Sequence, residues 1–135
     1  MTLRDLIKKH EGLRLKPYHD STGNLTIGYG RNLKANGISE LEAEFMLTED
    51  IHKATLDLWS VLGDDVVWSL SDNRYNAFID MMFNLGRSRF LTFKKMIAAA
   101  KIGDFEEAAE QMLDSKWARQ TKSRAIELSE MVRLG

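Results

Sequence analysis

Between His10 and Gly30 the chain reads HEGLRLKPYHDSTGNLTIGYG, placing two carboxylates, Glu11 and Asp20, and the hydroxyl of Thr26 around a short turn. Glu11 lies one turn beyond Ile7 at the end of an apolar-patterned segment. There the negative end of a helix dipole, together with partial burial, disfavours the charged carboxylate and raises its pKa. A carboxyl group still protonated near neutral pH is what a general acid requires. Asp20 opens DSTG, where an ionised carboxylate can act as a base. The ordinary role of such an Asp is to bond nearby backbone N–H groups in the turn. Thr26 alternates with Leu25 and Ile27, and Gly28 and Gly30 continue its face. That leaves a strip of backbone without side chains, open to close approach by a ligand. Each residue has a bland reading of its own: a solvated Glu at a helix end, a turn Asp, a strand Thr. Together they supply an acid, a base, a hydroxyl and an open backbone surface.

These groups must be positioned by a helix followed by a β region. Leu3, Leu6, Ile7 and either His10 or Glu11 follow helical spacing, with Thr2 as N-cap and Gly12 as stop. Pro17 marks an edge strand, DSTGN a turn, and Leu25, Ile27 and Tyr29 an alternating strand. Ser39 and Glu42 form a capping box for a second helix, with Ile38 and Ala43 as its hydrophobic staple. Its stripe is Ala43, Met46, Leu47, Ile51, Ala54, Leu58 and Leu62, and Gly63 ends it. Further helices are expected from Ser71 to Gly86, from Thr92 to Gly103, from Asp104 to about Ser115, and from Lys122 to Arg133. The pattern predicts an α+β chain, mainly α, in one domain over 1–135. A small β-hairpin lobe occupies about 13–37 and a connecting helix about 40–62. A larger helical lobe takes about 1–12 and 64–135, and a ligand cleft between the lobes is the expected site.

Composition excludes several classes. The chain of 135 residues is 44% hydrophobic and 29% charged, with net charge −1. No overall field draws it to nucleic acid or an anionic membrane. It has no cysteine, which fits a reducing compartment. The start, MTLRDLIKKHEG, is charged and unlike a signal peptide, and no segment reaches the 18 or so apolar residues of a membrane span. His10, His19 and His52 match no metal-site spacing, so no metal is expected. Trp59, Trp68 and Trp117, with Phe78, Met81, Met82 and Phe83, read mostly as core. Arg87, Arg89, Lys94 and Lys95 form a basic patch that suits either solvent or an anionic wall.

The segment EGLRLKPYHDSTGNLTIGYG resembles the catalytic segment of the phage-type lysozymes, the endolysin family of glycoside hydrolases that cut peptidoglycan. The shared pattern is Glu11-Gly12, Tyr18, Asp20, Gly23 and Thr26 to Gly30. It continues in FNLG, from Phe83 to Gly86, and in SKWARQTKSRA from Ser115. The resemblance implies a lysozyme-like fold with the active-site cleft between its two lobes. It implies Glu11 as general acid, Asp20 as the carboxylate that activates water or stabilises an oxocarbenium ion, and Thr26 as the residue that holds the water. Tyr18, Gly28, Gly30, Phe83, Asn84, Gln111 and Arg124 are implied on the substrate side.

The family often has His where this chain has Arg31, and the chain ends at EMVRLG, short of the C-terminal extension of some members. Asp50 interrupts the apolar stripe of the second helix. A buried carboxylate needs a partner, and Arg31 in place of the usual histidine is the candidate; alternatively Asp50 edges into solvent. The implied function is a muramidase cleaving the β-1,4 bond between N-acetylmuramic acid and N-acetylglucosamine. It needs no cofactor, no nucleic acid and no membrane span, and acts as a monomer. Such an enzyme accumulates in the host bacterial cytoplasm and acts on the wall after a holin-type lesion. A lytic transglycosylase and a non-catalytic wall-binding module are the alternatives, distinguished by anhydromuramic ends and by absence of reducing ends.

Overall fold

Helix α1, Leu3–Glu11, is coded at both ends. Thr2 accepts from the Asp5 amide while the Asp5 carboxylate accepts from the Thr2 amide, and Gly12 closes the last turn. The computed structural model describes residues 1–135, which form two compact units, Met1–Met46 and Leu47–Gly135.

In the first unit α1 leads into a three-stranded antiparallel sheet of β1 (Arg14–His19), β2 (Leu25–Gly28) and β3 (Arg31–Asn32), in the order β1-β2-β3. The simple hairpin expected from sequence thus gains a third strand. A four-residue helix, α2 (Leu33–Asn36), follows it, capped by the Asn32 side chain on the Ala35 amide at 3.0 Å. Pro17 sits in edge strand β1, the usual place in a sheet for a residue without a backbone N–H. The register is irregular between Arg14 and Tyr18. Tyr18 faces Thr26 and His19 faces Leu25 across β1 and β2. Burial along β2 runs against the apolar alternation. Thr26 is 3% exposed whereas Leu25 is 36% exposed. A hydroxyl can be buried when it is hydrogen-bonded, and Thr26 has such a bond.

Helix α3, Glu40–Leu62, starts at the expected capping box: Ser39 N donates to Glu42 Oε1 at 2.9 Å, and Glu42 N to Ser39 Oγ at 3.1 Å. Only the second half of its stripe is covered. Ala54, Leu58 and Leu62 are buried with Val61, while Ala43, Met46, Leu47 and Ile51 are exposed. The reason is the location of the core. The buried apolar residues all belong to the second unit, and the one buried residue of the first unit is Thr26.

The second unit continues with α4 (Asp64–Ser69), α5 (Asp72–Leu85), α6 (Arg87–Phe90), α7 (Lys94–Lys101), α8 (Phe105–Leu113), α9 (Lys116–Thr121) and α10 (Ser123–Leu134). Ser71 caps α5 and Asp104 caps α8 as the sequence predicts. Helix α7 starts at Lys94, because Thr92 gives its hydroxyl to the Arg89 carbonyl at 2.6 Å instead of capping the helix. Helices α5, α7, α8 and α10 pack around Phe78, Met81, Met96, Met112 and Val132. Arg74 fastens α10 to α5. Its Nε donates to the Val132 carbonyl at 2.7 Å, and its guanidinium lies 3.9 Å from the centre of the Phe105 ring. No helix is long and apolar enough to cross a membrane.

Candidate active site

Glu11 is the last residue of α1, and its side chain is exposed. The expected partial burial is therefore absent, since α1 has no buried residue. The carboxyl group lies against Gly30. A Cβ at Gly30 would stand 2.8 Å from Glu11 Cδ and 3.3 Å from Cγ, with Oε2 nearer still. Gly30 therefore makes room for Glu11. The expected glycine strip does not form: β2 ends at Gly28, and Gly30 belongs to the turn before β3. Lys8, one turn before Glu11, lies over the Tyr29 ring at 5.3 Å. Two adjacent contacts thus hold the end of α1 to the β2–β3 turn.

Asp20 opens the β1–β2 turn. Its Oδ1 accepts from Thr22 N at 2.9 Å, Thr22 Oγ1 at 2.8 Å and Asn24 N at 2.9 Å. The Asn24 amide first, and then the Thr22 hydroxyl, hold its pKa below the usual carboxylate value. Bonds to the charged form favour ionisation. Thr26 Oγ1 donates to the Asn24 carbonyl at 2.8 Å, the same carbonyl that accepts from Asp20 N at 2.9 Å. Asp20 and Thr26 are thereby tied to one peptide group. Tyr18, half-buried opposite Thr26, has the Arg14 guanidinium 5.0 Å from its ring centre. Sequence reasoning missed Thr22 and Asn24. Their signal was the spacing: donors two and four residues after an Asp are within reach of its side chain in a turn.

Arg31 pairs with Glu42, not with Asp50. Its NH1 lies 2.6 Å from Glu42 Oε1, and the two side chains are 41% and 42% exposed. The bond to Arg31 first, helped by the Ser39 amide, lowers the Glu42 pKa to about 2. Asp50 is exposed, so the burial that would have demanded a cation does not occur. The capping box already orients Glu42, which is why a surface Arg finds it.

The substrate-side residues expected in the second unit do not share one cavity. Gln111 lines a cavity of about 550 Å³ with Trp117, Lys94, Lys95 and Lys116. Phe83 lines another of about 480 Å³ with Asp50, Asp57 and Arg87. The side-chain carbonyl of Asn84 accepts from Trp117 Nε1 at 2.7 Å, and Gln111 donates to Glu107 at 2.7 Å. Arg124 pairs with Asp80 at 2.6 Å. Trp117 is at once buried core and cavity wall, a double role that helical spacing could not reveal.

The sequence pattern of the phage lysozyme family matches residues 8–131. The chain is 33% identical over 117 residues to an endolysin of Acyrthosiphon pisum secondary endosymbiont phage 1, covering 84% of this chain and 75% of that protein. It is 30% identical over 142 residues to an endolysin of Salmonella phage P22, covering 91% and 92%. It is 26% identical over 161 residues to the pre-baseplate central spike protein Gp5 of Enterobacteria phage T4, covering all of this chain and 28% of that protein. The chain belongs to the phage lysozyme family, and its activity is that of a lysozyme, a glycosidase that hydrolyses the peptidoglycan of bacterial cell walls.

Proposed function

We propose that the chain is an inverting muramidase that cleaves the β-1,4 bond between N-acetylmuramic acid and N-acetylglucosamine. Glu11 protonates the leaving oxygen, and Asp20 takes a proton from the attacking water. The observation that carries this reading is the wiring of Asp20 and Thr26. Asp20 is held ionised by three bonds to Oδ1, and none of them engages Oδ2. Thr26 gives its only hydroxyl proton to the Asn24 carbonyl, so it can meet a water only as an acceptor. A water donating one proton to Thr26 and the other to Asp20 Oδ2 keeps a lone pair for the anomeric carbon. As the C–O bond forms, that second proton passes to Asp20, while the Glu11 proton goes to the departing sugar.

This arrangement calls for carboxyl groups roughly 6.5–9.5 Å apart, the separation that leaves space for water and gives inversion. Tyr18 in the first unit is a proposed substrate contact, as are Phe83, Asn84, Gln111 and Arg124 in the second. The enzyme works as a monomer without a cofactor, accumulates in the host bacterial cytoplasm and reaches the wall through a holin-type lesion. Proton NMR of the first product tests the chemistry. The α-anomer is expected from the β-linked substrate, and a β-anomer at first turnover overturns inversion. Glu11→Gln should lower turnover by about 10²–10⁴-fold, the usual worth of a general acid, with folding intact; wild-type rates would remove Glu11 from the mechanism.

A further inference from the structure

We infer that Thr22 and Asn24 are positioning residues for Asp20, together holding one carboxylate oxygen so that the other is presented to the reacting water. The inference rests on the proposed role of Asp20 as the water-activating base.

The turn is already closed by its backbone: Asp20 N donates to the Asn24 carbonyl at 2.9 Å, and Gly23 N to the Asp20 carbonyl at 3.0 Å. The side-chain bonds are a second layer. Any residue other than proline at positions 22 and 24 would offer the two backbone amides to Oδ1. The Thr22 hydroxyl is an addition that depends on residue type. It has one proton, which it donates to Oδ1 at 2.8 Å. Its direction is set by Asn24, whose Nδ2 donates to Thr22 Oγ1 at 2.9 Å. With an amide donor on its lone pair, the hydroxyl must point its proton at the carboxylate. A carboxylate offers about two acceptor sites on each oxygen. Three donors on Oδ1 crowd that oxygen, fix the rotation of the group and leave Oδ2 as the oxygen open to a further donor.

No other charged group substitutes for this clamp. Glu11 at the end of α1, Arg14, Lys16, Tyr18 and His19 on β1, and Arg31 on β3 are titratable residues of the flanking elements. None contributes to the lowering at Asp20, which comes from Asn24 and Thr22. Orientation and basicity of the carboxylate are therefore set by the same two residues.

The test compares pH–rate profiles of the wild type, Thr22→Val, Thr22→Ser and Asn24→Ala on suspended peptidoglycan, well below their unfolding temperatures. Carbon-13 titration of the Asp20 carboxyl runs alongside. Thr22→Val should lower kcat by about 10–100-fold, the cost of a mispositioned reacting group. Its acidic limb and Asp20 titration should both move to higher pH, because a donor to the charged form is lost. Thr22→Ser should restore both, and Asn24→Ala should move both in the direction of Thr22→Val. A Thr22→Val profile and Asp20 titration superimposable on the wild type would overturn the inference, as would failure of Thr22→Ser to restore them. Asp20→Asn separates the two readings. If it abolishes turnover while Thr22→Val changes nothing, Asp20 keeps its role and the clamp is wrong. If it turns over normally, the proposed mechanism fails, and the Asp20 titration alone still decides whether Thr22 and Asn24 hold the carboxylate.

Discussion

Gly30→Ala, read against Gly28→Ala, isolates what the glycine beside Glu11 does. Both glycines are left-handed, with φ of 78° and 69°, so either alanine should cost about 1–2 kcal/mol in backbone strain. They differ in space. A Cβ at Gly28 meets nothing within 4 Å, whereas one at Gly30 falls 2.8 Å from Glu11 Cδ. Carbon–carbon contacts settle at about 3.5–4.0 Å, so the carboxyl group must retreat by roughly 1 Å. A displacement of that size at a reacting group costs on the order of 10²-fold in rate. Denaturant unfolding should therefore show similar losses for the two variants. Clearing of purified sacculi should be about 10²-fold slower for Gly30→Ala and within a few-fold of wild type for Gly28→Ala. Adding Gly30→Ala to Glu11→Gln should cost little more, since both act through the same proton. Equal activity of the two alanine variants would refute the idea that Gly30 places the proposed acid.

Glu42→Gln should flatten acid unfolding of the first unit. The Glu42 pKa is lowered from 4.5 to about 2, so its stabilising contribution is complete above 4.5 and is lost as pH falls toward 2. Hydrogen exchange of the β-sheet amides across that window checks it, and an unchanged acid dependence would mean the pair contributes nothing. Arg74→Met removes two bonds to the end of α10, at 2.7 and 3.2 Å, and a ring contact at 3.9 Å. Urea unfolding should show a loss of about 2–3 kcal/mol, and a loss under about 0.5 kcal/mol would contradict this. Arg31→Met and Asp50→Asn should be additive in a double-mutant cycle, because Arg31 pairs with Glu42; coupling between them would restore the bridge expected from sequence.

What was legible in the sequence is what is local. Thr2 with Asp5, Ser39 with Glu42, Ser71 with Arg74 and Asp104 with Glu107 all find each other because both partners lie within one helical turn. Where the outcome depended on surroundings, the sequence was ambiguous. The apolar stripe of α3 is continuous, but its periodicity does not say where the core stops. Arg31 had acidic residues at 42 and 50 to choose between in the sequence, and its partner is Glu42, which a cap already orients. Short helices α4, α6 and α9 carry too few turns for a periodic signal. Gly30 read as an open surface because no sequence pattern discloses that the side chain approaching it is Glu11.

The two units hold themselves together by different physics, and the candidate catalytic trio lies in the one that relies on polar bonds. The second unit buries Leu58, Phe78, Met81, Met96 and Met112, and such apolar burial does not depend on pH. The first unit encloses a hydrogen-bonded threonine. Carboxylates add side-chain bonds to its β1–β2 turn and to the start of α3: Asp20 on Thr22 and Asn24, and Glu42 on Arg31 and Ser39. Both have folded-state pKa values below their ordinary ones, so both stabilise the unit above those ordinary values and cease to do so as acid protonates them. For Asp20 the same protonation removes the proposed base. Loss of turnover in acid and loosening of the β1–β2 turn are then one event rather than two. Chemistry and local order are coupled through Oδ1, which anchors the turn, and Oδ2, which is left for the water.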